Sequence, residues 1–220
     1  YIIWETTKTL PEHEQLARYE PPVMTRVHAG DGTLLAEYAK ERRLFVPVNA
    51  IPQQLINAFT SAEDKNFYSH AGLDWEALAR AAFVDTKIMF DRYVLKKKGR
   101  RLIGASTITQ QVAKNFLLTN APTVERKLKE ALVAQRIEAA FTKNQIMELY
   151  LNEIYLGMGA YGVAGASITY FGKSLTELDL AEMAYLAALP KAPNNYHPIR
   201  HKERALERRN WVLERMQVNG

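Results

Sequence analysis

Glu63-Asp64-Lys65-Asn66-Phe67-Tyr68-Ser69-His70-Ala71-Gly72 is the stretch on which the reading of this chain turns. Two adjacent carboxylates end an amphipathic segment, an aromatic pair and a histidine follow, and a glycine closes the stretch. Residues 52–61 read as a helix with Leu55, Ile56, Ala58 and Phe59 on its buried side, and Pro52 suits the first turn. Glu63 then falls where helix gives way to loop, a common place for a reactive group held by a rigid scaffold. Taken alone, the stretch favours a plainer reading. Most carboxylates are exposed and do no chemistry, and Phe67 and His70 can simply close a turn in the core.

The rest of the chain changes that balance. With 220 residues, 47% of them hydrophobic and 24% charged, it can bury one real core and is not a disordered chain. The absence of cysteine excludes disulfides, thiol catalysis and cysteine-based zinc sites, and is compatible with any compartment. The net charge is +5, concentrated in Lys96-Lys97-Lys98-Gly99-Arg100-Arg101 and in a second cluster from Arg200 to Arg209. Such runs attract phosphates or anionic surfaces where they are not merely solvated faces. No apolar stretch is long enough to span a bilayer. Tyr1-Ile2-Ile3-Trp4 fits either the outer end of a membrane anchor or an ordinary terminus.

Residues 5–22 read as a linker. Residues 23–28 and 33–38 read as strands of a hairpin around Ala29-Gly30-Asp31-Gly32, and residues 44–48 as a third short strand. Everything beyond Pro52 reads as helical. Asp74 can cap a helix through Trp75, Leu78, Ala82 and Phe83. Residues 85–101 carry Ile88, Met89, Phe90, Tyr93, Val94 and Leu95 and then the basic run, which fits a membrane-surface segment as well as a buried helix. Gly104-Ala105-Ser106-Thr107-Ile108-Thr109-Gln110-Gln111 opens another helix with side chains that can cap it or meet an oxygen-rich ligand. A long helix from Pro122 to about Phe141 places Arg126, Lys127 and Glu130 on one face. Thr142-Lys143-Asn144-Gln145 is a capping box opening a helix to about Asn152. A glycine-rich loop, a packed helix towards Phe171, a helix over 178–189 capped by Ser174 or Thr176, and a final arginine-rich helix complete the chain.

Four clusters occur in order: Glu-Asp-x-x-Phe-x-x-His-x-Gly at 63–72, Gly-x-Ser-Thr-Ile-Thr-Gln-Gln at 104–111, Arg-Lys-x-x-Glu at 126–130 and Ile-x-Glu-x-Tyr-Leu-Asn at 146–152. Together they resemble the family 51 peptidoglycan glycosyltransferase domain of class A, bifunctional penicillin-binding proteins and of monofunctional transglycosylases. The helix with Arg208, Arg209, Asn210, Val212, Leu213 and Met216 is similar to the family's fifth, looser motif. One departure is Ala105, where the family usually has a second glycine; it adds only a methyl group.

The resemblance implies a mainly α, lysozyme-like domain over residues 50–220, with a small membrane-facing lobe at 85–103. Residues 1–49 would be a post-anchor linker and a short N-terminal β-hairpin. It also implies polymerisation of lipid II into β-1,4 glycan strands, by inverting transfer from an undecaprenyl-pyrophosphate-linked donor. Glu63 is then the general base and Glu130 the second essential carboxylate. Asp64, Phe67, His70, Ser106, Thr107, Gln111, Lys114, Asn115, Arg126 and Lys127 would bind substrate or support the cleft, and Glu148 and Asn152 would brace it. A sugar hydroxyl needs a positioned base, and a pyrophosphate leaves without a proton if cations take its charge, which suits Arg126, Lys127 and Lys114.

No cofactor is implied as obligatory, although Mg or Mn could assist at the pyrophosphate. The implied partners are lipid II and the growing strand, the membrane surface, phosphoglycolipid inhibitors of the moenomycin type and a transpeptidase domain in the parent chain, with no nucleic acid. The chain itself has no Ser-x-x-Lys, the usual transpeptidase signature. The implied location is the outward face of the bacterial cytoplasmic membrane, through an N-terminal anchor helix absent from this chain. Two rivals stand beside this reading. One is a lysozyme-like muramidase, in which the glutamate acts as acid. The other is a non-enzymatic basic module for nucleic acid or membrane.

Overall fold

The computed structural model describes residues 25–31, 34–38, 42–93, 106–116 and 124–220. Strands β1 (Thr25–His28) and β2 (Leu34–Tyr38) pair antiparallel with a register shift at Val27/His28, giving the expected hairpin. The third strand is shorter and earlier than expected: β3 is Arg42–Arg43 alone. Residues 44–47 carry no regular structure because side chains take their backbone groups. Val46 N–H donates to Asn152 Oδ1 (2.8 Å), Asn152 Nδ2 donates back to Val46 O (2.9 Å), and Val48 N–H donates to Glu148 (2.7 Å). With those groups engaged, no ladder continues, and a 3-10 turn at Val48–Ala50 follows.

Helix α1 (Gln53–Glu63) buries Leu55, Ile56, Ala58 and Phe59 as their spacing predicts, with Pro52 as its N-cap. Helix α2 runs from Trp75 to Tyr93. Asp74 caps it by accepting from Ala77 N–H at 2.8 Å. The apolar stretch thus begins inside a continuous helix; residues 94–105, with the whole Lys96–Arg101 basic run, lie outside the described residues, as do 1–24, 32–33, 39–41 and 117–123. Helices α3 (Ile108–Phe116), α4 (Val124–Ala140) and α5 (Lys143–Glu153) follow, the last with the full Thr142/Gln145 capping box.

After α5 the chain forms a second small sheet, not foreseen from the glycines. β4 (Tyr155–Gly157) and β5 (Ala160–Tyr161) make a tight hairpin, and β3 pairs with β5 in parallel. Gly162 then starts α6 (Gly162–Phe171) at φ +72°, where a Cβ would stand 2.6 Å from Asn152 O. Only glycine fits that approach. A 3-10 turn at Leu175–Glu177 is capped by Ser174, whereas α7 (Leu180–Ala188) is capped by Asp179, which accepts from Glu182 N–H. The helix expected over 178–189 is thus present, but its cap is Asp179, and Ser174 serves the turn before it. The last helix, α8, spans Lys202–Asn219.

The described residues are mainly helical. α1 packs on α7 and α8, α3 on α4 and α5, and α5 on α6. Phe59, Phe67, Ile108, Ile137, Met147, Tyr150 and Leu186 are among the largest fully buried side chains. Their contiguous core lies beneath the end of α1. Burial on this scale is worth about 1.5–3 kcal/mol per large apolar side chain, so the Glu63–Asp64 corner is anchored from below.

Candidate active site

Glu63 is the last residue of α1 and Asp64 its C-cap, so the two carboxylates share a backbone corner but diverge. Asp64 is almost fully buried and accepts from the His70 ring (2.9 Å) and from Ile108 N–H (2.9 Å). His70 Nδ1 accepts from Gly72 N–H (3.2 Å), so Nε2 carries the proton given to Asp64. Thr107 caps α3 by accepting from Gln110 N–H, and its hydroxyl donates to Gly72 O at 2.7 Å. The 64–72 loop and the start of α3 are thereby sewn together. Phe67 is fully buried beneath them, with Lys143 Nζ 4.5 Å from its ring centre. Asp64, Phe67, His70 and Thr107 therefore hold the corner in shape, and Asp64 and Thr107 also line the cleft that opens beside Glu63.

That frame aims α3 at Glu63. Gln111 Nε2 donates to Glu63 Oε2 at 3.0 Å. The other oxygen, Oε1, faces Arg208 Nη2 at 3.9 Å, an ion pair too long to be a hydrogen bond. The Glu63 side chain is 14% exposed. Burial is the largest influence on its carboxyl and pushes its pKa above the ordinary 4.5; Gln111, Arg208 and Lys191 pull it down, and Asp64 adds to the rise. Lys191 is itself lowered, chiefly by burial and then by Arg208.

Glu130 is handled differently. It is 1% exposed and lies between two cations on its own helix: Arg126 Nη1 donates to Oε1, and Lys127 Nζ stands 2.7 Å from Oε2. Lys127 also donates to Ser106 Oγ at 2.9 Å, joining α4 to the residue just ahead of α3. Lys114 and Asn115 are exposed at the far end of α3. Glu148 and Asn152 grip residues 46–48 and do not reach the carboxylates, so they brace the scaffold. Among the described residues no three His, Asp or Glu side chains converge as metal ligands. Glu130 is already taken by two cations, so the residues do not fit a protein-built metal cage.

Sequence reading missed three members of this neighbourhood. Lys191 sits in the loop after α7, with Pro190 and Pro193 near it as the only hint that the loop is held rigidly. Lys143 had been read only as part of a capping box, yet it donates to His70 O (2.6 Å) and Glu138 (2.7 Å). Trp211, under the Arg208 guanidinium at 3.7 Å, had no signal beyond its place on an arginine-rich helix.

A family model described as transglycosylase matches residues 31–217. Relatives include penicillin-binding protein 1A of Rickettsia felis, 52% identical over 220 residues, covering 100% of this chain and 27% of that protein. Penicillin-binding protein 1A of Aquifex aeolicus is 49% identical over 213 residues, covering 97% of this chain and 28% of the relative. The Pseudomonas aeruginosa protein of the same name is 45% identical over 208 residues, covering 94% and 24%. This chain thus spans about a quarter of the length of these curated relatives. A crystal structure of penicillin-binding protein 1A from Haemophilus influenzae superposes with a TM-score of 0.44 at 29% identity, over 90% of this chain and 18% of that one.

Proposed function

This chain belongs to the transglycosylase family, and from that premise we propose that it is a peptidoglycan glycosyltransferase that extends β-1,4 glycan strands from lipid II. The observation that carries the reading is the pairing of two unlike buried glutamates. Glu63 has one oxygen fixed by Gln111 and the other, among the described residues, not hydrogen-bonded. Glu130 holds Arg126 and Lys127 in a fixed array.

The roles follow from that contrast. Glu63 takes the proton of the acceptor's 4-hydroxyl as the new C–O bond forms at the donor's anomeric carbon. A base whose pKa is raised towards working pH is the stronger proton acceptor. The bond from that carbon to the pyrophosphate oxygen breaks, and the pyrophosphate leaves with the electron pair. Attack and departure on opposite faces give inversion with no covalent glycosyl-enzyme. Arg126 and Lys127 take the charge that develops on the leaving group, and Glu130 preorganises them. No step runs through a metal.

A raised glutamate also suits a muramidase, where it would protonate a glycosidic oxygen. Hydrolysis of a neutral glycoside gives Arg126 and Lys127 nothing to stabilise, so the cation array favours transfer from a pyrophosphate. No helix among the described residues is long and apolar enough to cross a membrane. Because both substrates carry lipid, we place the working enzyme at the outward surface of the bacterial cytoplasmic membrane. In this reading it is part of a longer protein with a transpeptidase domain, and is open to phosphoglycolipids that mimic the donor.

The test is polymerisation of lipid II in detergent by the parent and by Glu63→Gln. Long, lysozyme-sensitive strands from the parent alone support the reading. Cleavage of preformed glycan without polymer formation would transfer the case to the muramidase.

A further inference from the structure

Three helices and the 64–72 loop meet at an ion pair that the proposed reaction does not use. Lys143 opens α5, where a cation faces the positive end of the helix dipole and is unfavourable by local rules. Its side chain is nevertheless fixed. Nζ donates to His70 O (2.6 Å) and to Glu138 Oε1 (2.7 Å), and stands 4.5 Å from the centre of the Phe67 ring. Glu138, in the last turn of α4, accepts on the same oxygen from the Thr109 hydroxyl of α3, at 2.6 Å. Thr109 is fully buried, and the Glu138 side chain is only 10% exposed. The loop lies hard against this point: a Cβ on Gly72 would stand 3.1 Å from Ala134 O and 3.2 Å from Glu138 Cγ.

Two paths lead from this pair to Glu63. One runs through the loop. Lys143 holds the His70 carbonyl, and the His70 ring donates to Asp64, the residue after Glu63. The other runs through α3. Thr109 is tied to Glu138, Ile108 N–H to Asp64, and Gln111, two residues on, donates to Glu63 Oε2 at 3.0 Å. The loop and α3 thus form two sides of the corner, and Lys143–Glu138 joins one to the other. A slip of α3 against the loop would bend or lengthen the Gln111–Glu63 bond, and such bonds weaken steeply as their geometry worsens.

We infer that Lys143 and Glu138 are positioning residues for the base: their ion pair locks the 64–72 loop to α3 and so sets the Gln111–Glu63 hydrogen bond. The inference rests on the proposed reading of Glu63 as the general base. Neither Lys143 nor Glu138 lines the cleft beside Glu63, so they act through Gln111. The consequence has a definite sign. Gln111 holds the Glu63 carboxyl down, together with Arg208 on α8 and Lys191 in the loop after α7. Burial and Asp64 push it up, and the buried Tyr150 hydroxyl of α5 lies in the field of both carboxylates. Loosening Gln111 leaves the carboxyl higher, so the base keeps its proton to higher pH.

Lys143→Met keeps an unbranched side chain against Phe67 and removes the charge. With lipid II as substrate it is expected to lower kcat about tenfold, within what a small misplacement costs, with KM nearly kept. The acid limb of kcat/KM should move to higher pH. Glu138→Gln should do the same to a smaller extent, since an amide oxygen can still accept from Thr109, and Lys143→Arg should recover most of kcat. Circular dichroism checks the fold of each. The double variant decides the matter: on top of Gln111→Leu, Lys143→Met should move the acid limb no further. A shift of equal size in both backgrounds would be the field of the lost charge. A lower Tm with an unmoved limb would be a purely structural role. Either result overturns the inference. Titration of Glu63 by 13C NMR of the glutamate-labelled chain, assigned by the signal that Glu63→Gln lacks, reads the same shift without the reaction. Failure of the underlying reading looks different: Glu63→Gln would then polymerise as the parent does, and the titration would still decide whether Lys143 positions that carboxyl.

Discussion

The end of α1 and the first half of α4 each bury a glutamate, and the surroundings make opposite things of them. Among the described residues Glu63 has one neutral hydrogen bond, from Gln111, and a cation no closer than 3.9 Å. Glu130 has a guanidinium and an ammonium directly on its two oxygens. The first can still accept a proton. The second has a cation on each oxygen, and in the proposed reaction its use is to hold the cations that flank it. In the proposed reaction two carboxylates of one type are thus separated into a base and a clamp by their neighbours.

The sharpest way to break that contrast is to neutralise the base. Glu63→Gln keeps the shape and a polar group beside Gln111, and should lower kcat about 10²–10⁴-fold, the usual worth of a positioned proton acceptor. A variant that kept even a tenth of the parental rate would move the base elsewhere. Neutralising the clamp should do less to the proton transfer and more to the donor. Glu130→Gln is expected to lower kcat/KM about tenfold to a hundredfold, with a lower Tm, since the Arg126 and Lys127 charges lose their anchor. If Glu130→Gln instead moved the pH profile, it would be the base and the roles would exchange.

A smaller effect tests the floor beneath both. Asp64→Asn removes the charge that His70 and Ile108 N–H share and should cost about 1–3 kcal/mol of stability, read by denaturant unfolding. The expected loss of rate would follow from α3 loosening, so Gln111 would no longer meet Glu63 well. An unchanged unfolding midpoint would return Asp64 to the substrate-binding role that the sequence motif suggested.

The comparison also shows what the sequence could and could not disclose. The clamp was legible: Arg126, Lys127 and Glu130 are spaced three and four apart, and a helix must bring them to one face. The buried side of α1 was legible for the same reason. The base environment was not. Gln111, Lys191 and Arg208 reach Glu63 from α3, the loop after α7, and α8, contacts that no local periodicity encodes. The expected strand over residues 44–48 failed for a related reason. Its backbone groups went to Asn152 and Glu148, residues about a hundred positions away, and propensity cannot see a distant side chain. The glycines after Tyr155 signalled tight backbone but not a hairpin. Gly162 is required by Asn152 O, again a contact between segments that meet only in the fold.

The mildest perturbation is of pH, and it bears on Glu63. Gln111 is the largest influence holding the Glu63 carboxyl down against burial. Gln111→Leu should therefore raise its pKa further, and the acid limb of kcat/KM should move to higher pH. The raised carboxyl also carries a stability consequence. Below the ordinary value of 4.5 the group is protonated in both folded and unfolded chains, and burial costs nothing extra. As pH rises from there through the folded value, the unfolded chain releases its proton first, so stability falls until the folded group has ionised too. Above that window the full cost persists. Glu63→Gln removes it, and at pH 8 should raise Tm. The gain should vanish near pH 4 and below. An inactive variant that is also more stable at pH 8 would mark Glu63 as a charge held in place for its chemistry. Equal melting of parent and variant at pH 8 would mean that Gln111, Arg208 and Lys191 together cancel the burial.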